Sequence, residues 1–118
     1  MAEIAGIRRQ FIRTAMEAPF LARDEERGLA VRWKENRDER ALHRLISAHM
    51  RLVIALAGRF RHYGLPVGDL VQEGNVGLVK AVQKFDPHRG NKLSTYAGWW
   101  IRAYILKYIL NTWRLVKI

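Results

Sequence analysis

The chain has no cysteine, only three prolines and no long apolar run among its 118 residues. Without cysteine, disulfides and thiolate metal sites are excluded. The apolar stretch LVIALAG is among the longest, far short of the roughly 20 residues that a membrane helix needs. Arg8 and Arg9 precede no apolar segment, so we expect no secretory signal. These absences favour a protein of the reducing cytoplasm.

Acidic residues are scarce in the C-terminal third. Residues 80–118 carry eight Lys or Arg and a single acid, Asp86, a net charge of +7, whereas residues 1–79 have a net charge of only +3. The same third holds three of the four tryptophans. A concentrated basic field suits a polyanionic partner such as nucleic acid, and a solubilising surface charge explains it equally well when charge is considered alone.

Apolar residues recur at helical spacing along most of the chain. The prolines Pro19, Pro66 and Pro87 separate the periodic segments. Apolar steps of three and four run from Leu42 to Phe60, after the GLP break and again after HRG, and a weaker pattern begins near Asp24. No segment alternates with period two. The sequence therefore predicts an all-α fold, a compact bundle of about four or five helices.

The segment VGDLVQEGNVGLVKAV carries a polar stripe. Asp69, Gln72 and Glu73 lie at i, i+3 and i+4, so they share one face of a helix, and Asn75 flanks them. A solvated acidic face is the commoner explanation of such a stripe, and binding to a partner is the alternative. A metal site formed by Asp69 and Glu73 is much less favoured than either.

Two glycines, Gly74 and Gly77, lie inside the same predicted helix. Each costs roughly 1 kcal/mol relative to alanine in a helix interior. Such a cost predicts close approach of another backbone, within the domain or on a partner.

The stretch STYAGWWIR places two tryptophans side by side. Neighbouring residues on a helix point about 100° apart, so Trp99 and Trp100 cannot share the centre of one buried stripe. We interpret Ser94 as the N-cap of this helix, with Ala97, Ile101, Ile105 and Tyr108 on the buried face. Exposed aromatics bordered by cations are typical of single-stranded nucleic-acid binding. A packing role is favoured for any one tryptophan, but not for the group.

The segments GDLVQEGNVGLVKAVQKFDPHRG and STYAGWWIRAYI resemble the promoter-melting domain, region 2, of bacterial RNA polymerase sigma factors. FLARDEERGLAVRWKE is similar to the short helix before that domain, and LISAHMRLVIALAGRF to its first long helix. HRLISAH, YGLP and NTWRLVKI resemble the heat-shock subgroup. The resemblance implies a region 1.2-like helical extension over residues 1–36 and the region 2 core over 37–118.

The resemblance implies a DNA-binding role for the aromatic helix and the loop before it. Tyr96 would stack where an adenine of the minus-ten element flips out, and Trp99 and Trp100 would form a wedge against the last intact base pair. Arg51, with its neighbours Met50 and Leu52, would receive a later flipped base. The full set of implied DNA-binding residues is Arg51, Phe85, Asp86, Arg89, Lys92, Ser94, Thr95, Tyr96, Trp99, Trp100, Arg102 and Ala103.

The resemblance implies two macromolecular partners and no cofactor. Asp69, Gln72, Glu73 and Asn75 match the positions that bind a coiled coil of the largest subunit of core RNA polymerase. Acidic groups facing a basic coiled coil make physical sense. The second partner is promoter DNA, as the single-stranded non-template minus-ten element. An anti-sigma factor or chaperone is a further partner of such domains, and we expect the protein in the cytoplasm with the nucleoid.

The chain also departs from the family pattern. Housekeeping members carry glutamine and threonine where this chain has Ala103 and Leu106, so hydrogen-bond readout of the upstream base pair is in doubt. Leu93 replaces an aromatic residue. Beyond Tyr104 the helix is apolar nearly all round, which predicts that its end needs a cover. The later sigma domains are absent from this chain, so we interpret it as an isolated or truncated domain.

Other classes of function are less favoured. The four histidines show no metal or nucleophile–base spacing, so we predict no enzyme, no catalytic residue and no metal. A basic helix rich in Trp and Leu also suits an anionic membrane surface, but we expect no membrane association. The main alternative is a truncated sigma domain that binds polymerase or an anti-sigma regulator without reading DNA.

Overall fold

Helices make up nearly all of the computed structural model, which describes residues 9–17 and 21–117. Within these ranges there are six α-helices, joined by 3-10 turns at Arg61–Tyr63 and Pro87–Arg89, and no strand. The α-helices are α1 (Arg9–Glu17), α2 (Arg23–Asn36), α3 (Glu39–Ala48), α4 (Met50–Arg59), α5 (Val67–Lys84) and α6 (Leu93–Lys117). The all-α prediction is confirmed.

Helices α5 and α6 form the centre of the bundle. Leu70, Leu78 and Ala81 of α5 are fully buried, as are Ile101 and Ile105 of α6. A Cβ atom added at Gly77 would lie 2.7 Å from the Trp100 carbonyl oxygen, and one at Gly74 would lie 2.9 Å from Val53 Cγ1. The glycines therefore let the α6 backbone and neighbouring side chains approach α5, which confirms the predicted close contact.

The segment predicted as one long helix from Leu42 to Phe60 is divided at His49. Its apolar residues are buried on both sides of the break, including Leu45 and Val53. The amide of His49 donates to the Ile46 carbonyl over 3.0 Å, a tighter turn than in an α-helix. The imidazole Nδ1 lies 2.8 Å from the Leu45 carbonyl oxygen. Because of this break, the structure has two helices, α3 and α4, where the apolar periodicity predicts one.

Turn residues end the helices where the sequence predicts breaks. Asp38 caps α3, because its Oδ1 accepts from the amide of Arg40 over 3.0 Å. Gly64 in YGLP has a φ of 84°, and Gly90 before α6 has a φ of 82°. Both lie in the left-handed region that glycine enters at little cost.

The interpretation of Ser94 as the N-cap of the last helix is wrong. An N-cap at Ser94 would start the helix at Thr95, but α6 begins two residues earlier, at Leu93, and the amide of Tyr96 donates to the Lys92 carbonyl over 3.2 Å. Leu93 is completely buried, so packing draws it into the first turn. The predicted buried face of α6 is confirmed for Ala97, Ile101 and Ile105, whereas Tyr108 is half-buried.

Residues 1–36 contain α1 and α2, although residues 1–8 and 18–20 lie outside the described part. Helix α2 packs mainly against α3 and also touches α5 and the turn at Pro87–Arg89. The division into an extension over 1–36 and a core over 37–118 stays a prediction.

Candidate nucleic-acid interface

A row of four aromatic rings runs along one side of α6. Phe85 lies 5.6 Å from Tyr96, Tyr96 lies 6.2 Å from Trp100, and Trp100 stacks on Tyr104 at 6.3 Å, all between ring centroids. Phe85 is buried, whereas Tyr96, Trp100 and Tyr104 are half-buried. The row therefore has a fixed base in the core and ring surface accessible from outside.

Trp99 is separate from this row. Its side chain is 64% exposed, the largest exposure of any large hydrophobic residue in the described part of the chain. The expectation that at least one of the paired tryptophans meets the surface is confirmed. The two tryptophans have different environments. Trp100 packs between the rings of Tyr96 and Tyr104, and Trp99 projects into solvent on the neighbouring flank of the helix.

The remaining predicted residues of α6 border these aromatics. Ser94, Thr95 and Ala103 are exposed, and Arg102 is half-buried. The sequence of α6 contains no acidic residue. This helix therefore presents aromatic and cationic groups without a competing negative charge of its own.

The loop before α6 carries the other predicted cations. Asp86 accepts the amide hydrogen of His88 over 3.0 Å, and its other oxygen lies 3.5 Å from Arg89 Nε. The hydrogen bond from His88 is the main reason why the pKa of the Asp86 carboxyl is lowered. Arg89 and Lys92 are exposed. The contacts of Asp86 therefore order the loop, and Arg89 and Lys92 remain accessible near Phe85.

Helix α2 holds this loop from outside. Arg23 Nη2 donates to the Gly90 carbonyl over 3.4 Å, and Glu35 Oε2 lies 3.6 Å from His88 Nε2. The loop is therefore attached to α2 near both ends of that helix. The periodicity of α2 gave no signal for these contacts.

An open cleft of about 420 Å³ lies between α2, α4 and the start of α6. It brings Arg51 together with Ser94, two predicted DNA-binding residues that are far apart in the sequence. Arg51 also donates a hydrogen bond to the Met16 carbonyl of α1. The cleft is lined by Leu21, Glu26, Ala48, His49, Arg51, Leu52, Ala55 and Ser94.

Glu26 and His49 form the polar floor of the cleft, and sequence reasoning missed both. Glu26 Oε1 lies 3.4 Å from His49 Nε2, and the carboxylate also accepts the backbone amide hydrogen of Leu93. The hydrogen bond with His49 is the main reason why the pKa of the Glu26 carboxyl is lowered. His49 is buried. Glu26 therefore joins α2 to the α3–α4 turn and to the first residue of α6.

The polar stripe of α5 lies on a different surface. Asp69 and Gln72 are exposed and Glu73 is half-buried. The hydroxyl of Tyr108 donates to Asp69 Oδ2 over 3.1 Å, and the pKa of Tyr108 is raised by burial first and by this bond second. Val76, 46% exposed, extends the stripe by one turn and was not singled out from the sequence.

Asn75 differs from the other predicted members of the stripe. Its Oδ1 is buried and has no hydrogen-bond partner among the described residues. The structure therefore brings Asp69, Gln72 and Glu73 onto one accessible face and leaves the Asn75 carbonyl oxygen away from solvent.

The described residues form neither a metal-binding cluster nor a membrane-spanning helix. No group of three or more His, Asp or Glu side chains in residues 9–17 and 21–117 lies close enough to hold a metal ion. Over the same part of the chain, none of the helices combines the length and apolar character needed to cross a bilayer.

Comparison with known proteins gives one family match and several close relatives. Residues 45–115 match the sigma-70 region 2 family. RNA polymerase sigma factor RpoH of Caulobacter vibrioides (strain NA1000 / CB15N) is 54% identical over 100 residues, covering 85% of this chain and 34% of the relative. RpoH of Rhizobium radiobacter is 49% identical over 114 residues, covering 97% and 38%.

A third relative, RNA polymerase sigma-C factor of Myxococcus xanthus, is 49% identical over 100 residues, covering 85% of this chain and 34% of the relative. The chain thus spans about a third of the length of the curated relatives it matches. The resemblance drawn from the sequence motifs, including the heat-shock subgroup, is confirmed.

Proposed function

Because this chain belongs to the sigma-70 region 2 family, we propose that it acts in transcription initiation by binding core RNA polymerase and the promoter minus-ten element. The arrangement around Trp99 carries this proposal. The exposed Trp99 ring stands beside a supported row of rings, on a helix without acidic residues and near exposed Arg89 and Lys92. Aromatic platforms beside cations bind unstacked bases and their phosphates.

The first base captured would be the adenine at the Tyr96 end of the row. Tyr96 rests on buried Phe85, so its ring has support on one side and an accessible surface for a base. Asp86 and Arg89 lie next to this position and would exchange their mutual contact for hydrogen bonds to the base. Stacking contributes roughly 1–3 kcal/mol per base.

Trp99 and Trp100 would hold the junction between melted and paired DNA. An exposed ring inserted against the last base pair takes the place of the departing base in the stack. Arg102, Ser94, Thr95 and Lys92 border the rings and would contact the non-template backbone. Ala103 would face the duplex with no hydrogen-bonding group, so that contact would be apolar.

The open cleft would receive a later base of the same strand. It combines the Arg51 guanidinium, the Ser94 hydroxyl and apolar walls, with a volume of about 420 Å³. Ser94 also lies at the start of the aromatic helix, so one strand can pass from the aromatic row into the cleft. Capture of two bases would offset the few kcal/mol that each unpaired and unstacked step costs.

The stripe on α5 would bind the coiled coil of the polymerase largest subunit. Asp69, Gln72 and Glu73 offer carboxylate and amide oxygens, and Val76 adds an apolar contact at the same face. Asn75 would contribute through its amide nitrogen, since its Oδ1 is buried. Charge complementarity with a basic coiled coil would guide the encounter.

The test is fluorescence anisotropy with a labelled single-stranded non-template minus-ten oligonucleotide. The 118-residue protein is titrated in, with and without the polymerase coiled-coil fragment, against a scrambled oligonucleotide of the same composition. We expect binding that prefers the minus-ten sequence, is enhanced by the coiled coil and is lost in the Trp99→Ala/Trp100→Ala variant. Equal, salt-sensitive binding to both oligonucleotides would contradict base capture.

The second candidate function is a protein-binding module that does not read DNA. The acidic stripe favours it, because that surface is complete without any nucleic acid. Under this alternative, Asp69→Asn/Glu73→Gln abolishes binding to the coiled coil or to an anti-sigma regulator. The tryptophan variants leave binding to these proteins unchanged, and the chain shows no sequence preference for DNA.

A further inference from the structure

A second, smaller cavity lies between the first turns of α2 and the loop before α6. Among the residues that line it are Arg23 and Arg27 of α2, Phe85, and the loop residues Gly90 and Lys92. Its volume is about 100 Å³, whereas the open cleft measures about 420 Å³. The smaller cavity therefore suits a small group better than a flipped base. Neither arginine has a role in the proposed function.

Three cationic side chains border this cavity. Arg23, Arg27 and Lys92 are all exposed, so their charged ends are accessible to a ligand. Arg23 is anchored, because its Nη2 donates to the Gly90 carbonyl over 3.4 Å. A guanidinium carries several N–H groups, so this bond leaves further donors. Arg27 forms no salt bridge with any residue in the described ranges. Both arginines can therefore bind an anion.

Two carboxylates also line the cavity. Glu26 is already paired, because its carboxylate contacts His49 and accepts the Leu93 amide hydrogen. Asp24 is exposed in the first turn of α2, where the helix dipole favours a negative charge. The three cations outnumber these two acidic groups. The cavity therefore keeps a positive surplus, which Asp24 reduces.

The cavity adjoins both places where the proposed function captures a base. Phe85 lines the cavity and also supports the Tyr96 ring, 5.6 Å away between centroids. Glu26 lines both this cavity and the open cleft. Lys92 of the cavity lies two residues before Ser94 of the cleft. A strand that runs from Tyr96 into the cleft therefore passes the cavity with its backbone.

We propose that this cavity binds one backbone phosphate of the non-template strand, between the adenine stacked on Tyr96 and the base held in the open cleft. Arg23 and Arg27 supply charge-assisted hydrogen bonds, and Lys92 adds a third cation. This phosphate site rests on the proposed function and adds two residues of α2 to it. A backbone fixed between the two captured bases presents the second base to the cleft at a higher effective concentration.

The salt dependence of binding measures the contact. Each phosphate contact on a single strand contributes about 0.7 to the slope of log affinity against log salt concentration. Arg27→Gln should therefore reduce the slope for the minus-ten oligonucleotide by about 0.7 and weaken its binding about threefold. Arg40→Gln is the matched control, at an exposed arginine of α3 that lines neither cavity. It removes the same charge and should leave the slope unchanged.

Oligonucleotides with one neutral methylphosphonate linkage locate the phosphate. The neutral linkage is moved along the minus-ten strand one position at a time. In the parent chain, one linkage between the two captured bases should weaken binding about threefold. In Arg27→Gln that linkage should have no larger effect than its neighbours, because the contact is already lost. Asp24→Asn should strengthen binding about twofold and leave the sensitive linkage in place. Circular dichroism should show the same helical content in all variants.

Three results would overturn the proposal. The first is an equal salt slope for Arg27→Gln and Arg40→Gln, which would indicate a diffuse basic surface. The second is a linkage profile that Arg27→Gln leaves unchanged. The third is a flat profile in the parent chain; competition by inorganic phosphate at constant ionic strength would then assign the cavity to a free anion.

Base capture and this phosphate site can fail separately. Equal binding of the minus-ten and scrambled oligonucleotides, with a linkage effect that still depends on Arg27, would contradict base capture but support a phosphate at the cavity. A retained sequence preference without any linkage effect that depends on Arg27 would overturn the phosphate site alone.

Discussion

The first half of α5 and the outer face of α6 carry charge of opposite sign, although the two helices are packed backbone to backbone. α5 exposes Asp69 and Gln72 beside half-buried Glu73, whereas α6 has no acidic residue and exposes Trp99. Gly77 brings the α6 backbone against α5, so the two faces belong to one rigid unit. The difference shows that two tightly packed helices can present surfaces of opposite charge, although the Tyr108 hydroxyl of α6 also donates to Asp69 of α5.

The largest expected effect comes from breaking the contact that both faces share. Gly77→Ala places a Cβ atom 2.7 Å from the Trp100 carbonyl oxygen, and backbone cannot rotate away as a side chain can. We expect a loss of about 2–3 kcal/mol in the free energy of unfolding, measured with urea, and weaker binding by both faces.

Gly28→Ala is the matched control for Gly77→Ala. Gly28 also lies inside a helix, and an added Cβ there meets no atom within 4 Å. This variant should gain up to about 1 kcal/mol from helix propensity. Equal stability of the two variants would show that the α5–α6 contact is not close enough to couple the faces.

The second-largest effect should come from Glu26→Gln, which we expect to weaken binding by the α6 face but not by the α5 face. Glu26→Gln removes the carboxylate that joins His49 and the Leu93 amide, and we expect a loss of about 1–3 kcal/mol in stability at pH 7. Because α6 begins at Leu93, binding of the minus-ten oligonucleotide should weaken. Binding of the coiled coil by α5 should not. Glu39→Gln, at an exposed carboxylate of α3, is the control.

The same variant has a pH signature. The pKa of the folded Glu26 carboxyl is lowered, so its ionised form stabilises the fold above the unfolded pKa of about 4.3. That contribution is lost as the pH falls through the folded pKa. The stability difference between the parent chain and Glu26→Gln should therefore shrink between pH 6 and pH 3 in urea unfolding. A constant difference would contradict the role of the charge.

A smaller effect concerns the paired tryptophans. Trp99→Ala should leave the unfolding free energy nearly unchanged, because the ring is exposed, and should weaken oligonucleotide binding by about 1–2 kcal/mol. Trp100→Ala should reduce both, since Trp100 packs between Tyr96 and Tyr104. Anisotropy and thermal unfolding on the same samples measure the two quantities. Identical behaviour of the two variants would argue against separate roles.

The smallest effect should appear at the acidic face. Asp69→Asn should lower the affinity for the coiled-coil fragment by less than about 1 kcal/mol, because Asp69 is exposed and screened by solvent. Oligonucleotide binding should stay constant or rise slightly. Tyr108→Phe removes the hydroxyl that donates to Asp69 and should change coiled-coil affinity less than Asp69→Asn does. Isothermal titration calorimetry at two salt concentrations measures both variants.

Much of the fold could be predicted because helix periodicity is a local property. Leu70, Leu78 and Val82 of α5 and Ile101 and Ile105 of α6 are buried as their spacing indicates. The close contact at Gly74 and Gly77 was also predictable, because glycine lowers helix stability and its presence twice inside one helix indicates close packing of a neighbour. The break at His49 was not, since the apolar pattern continues across it and a tighter turn preserves the buried face.

The candidate site was predictable as a set of residues but not as an arrangement. The aromatic and cationic residue types around Trp99 indicate nucleic-acid binding from the sequence alone, and the family resemblance implies a role for each of them. Glu26 could not be predicted from the sequence because it lies among the charged residues of α2, where nothing in the spacing distinguishes it from Glu25. Its partners, His49 and Leu93, lie in other segments, and only packing brings the three together.

Local sequence is enough to specify the helical class and the buried stripes, and composition places positive charge and tryptophan together in one third of the chain. The helical class and the buried stripes follow from apolar side chains repeated at a fixed 3.6-residue period, which needs no knowledge of distant segments. Packing between the helices is needed to explain why Trp100 is supported while Trp99 projects, why Arg51 and Ser94 share a cleft, and why α2 contacts the loop before α6. Those outcomes depend on contacts between residues far apart in the chain, which are settled only when the helices pack.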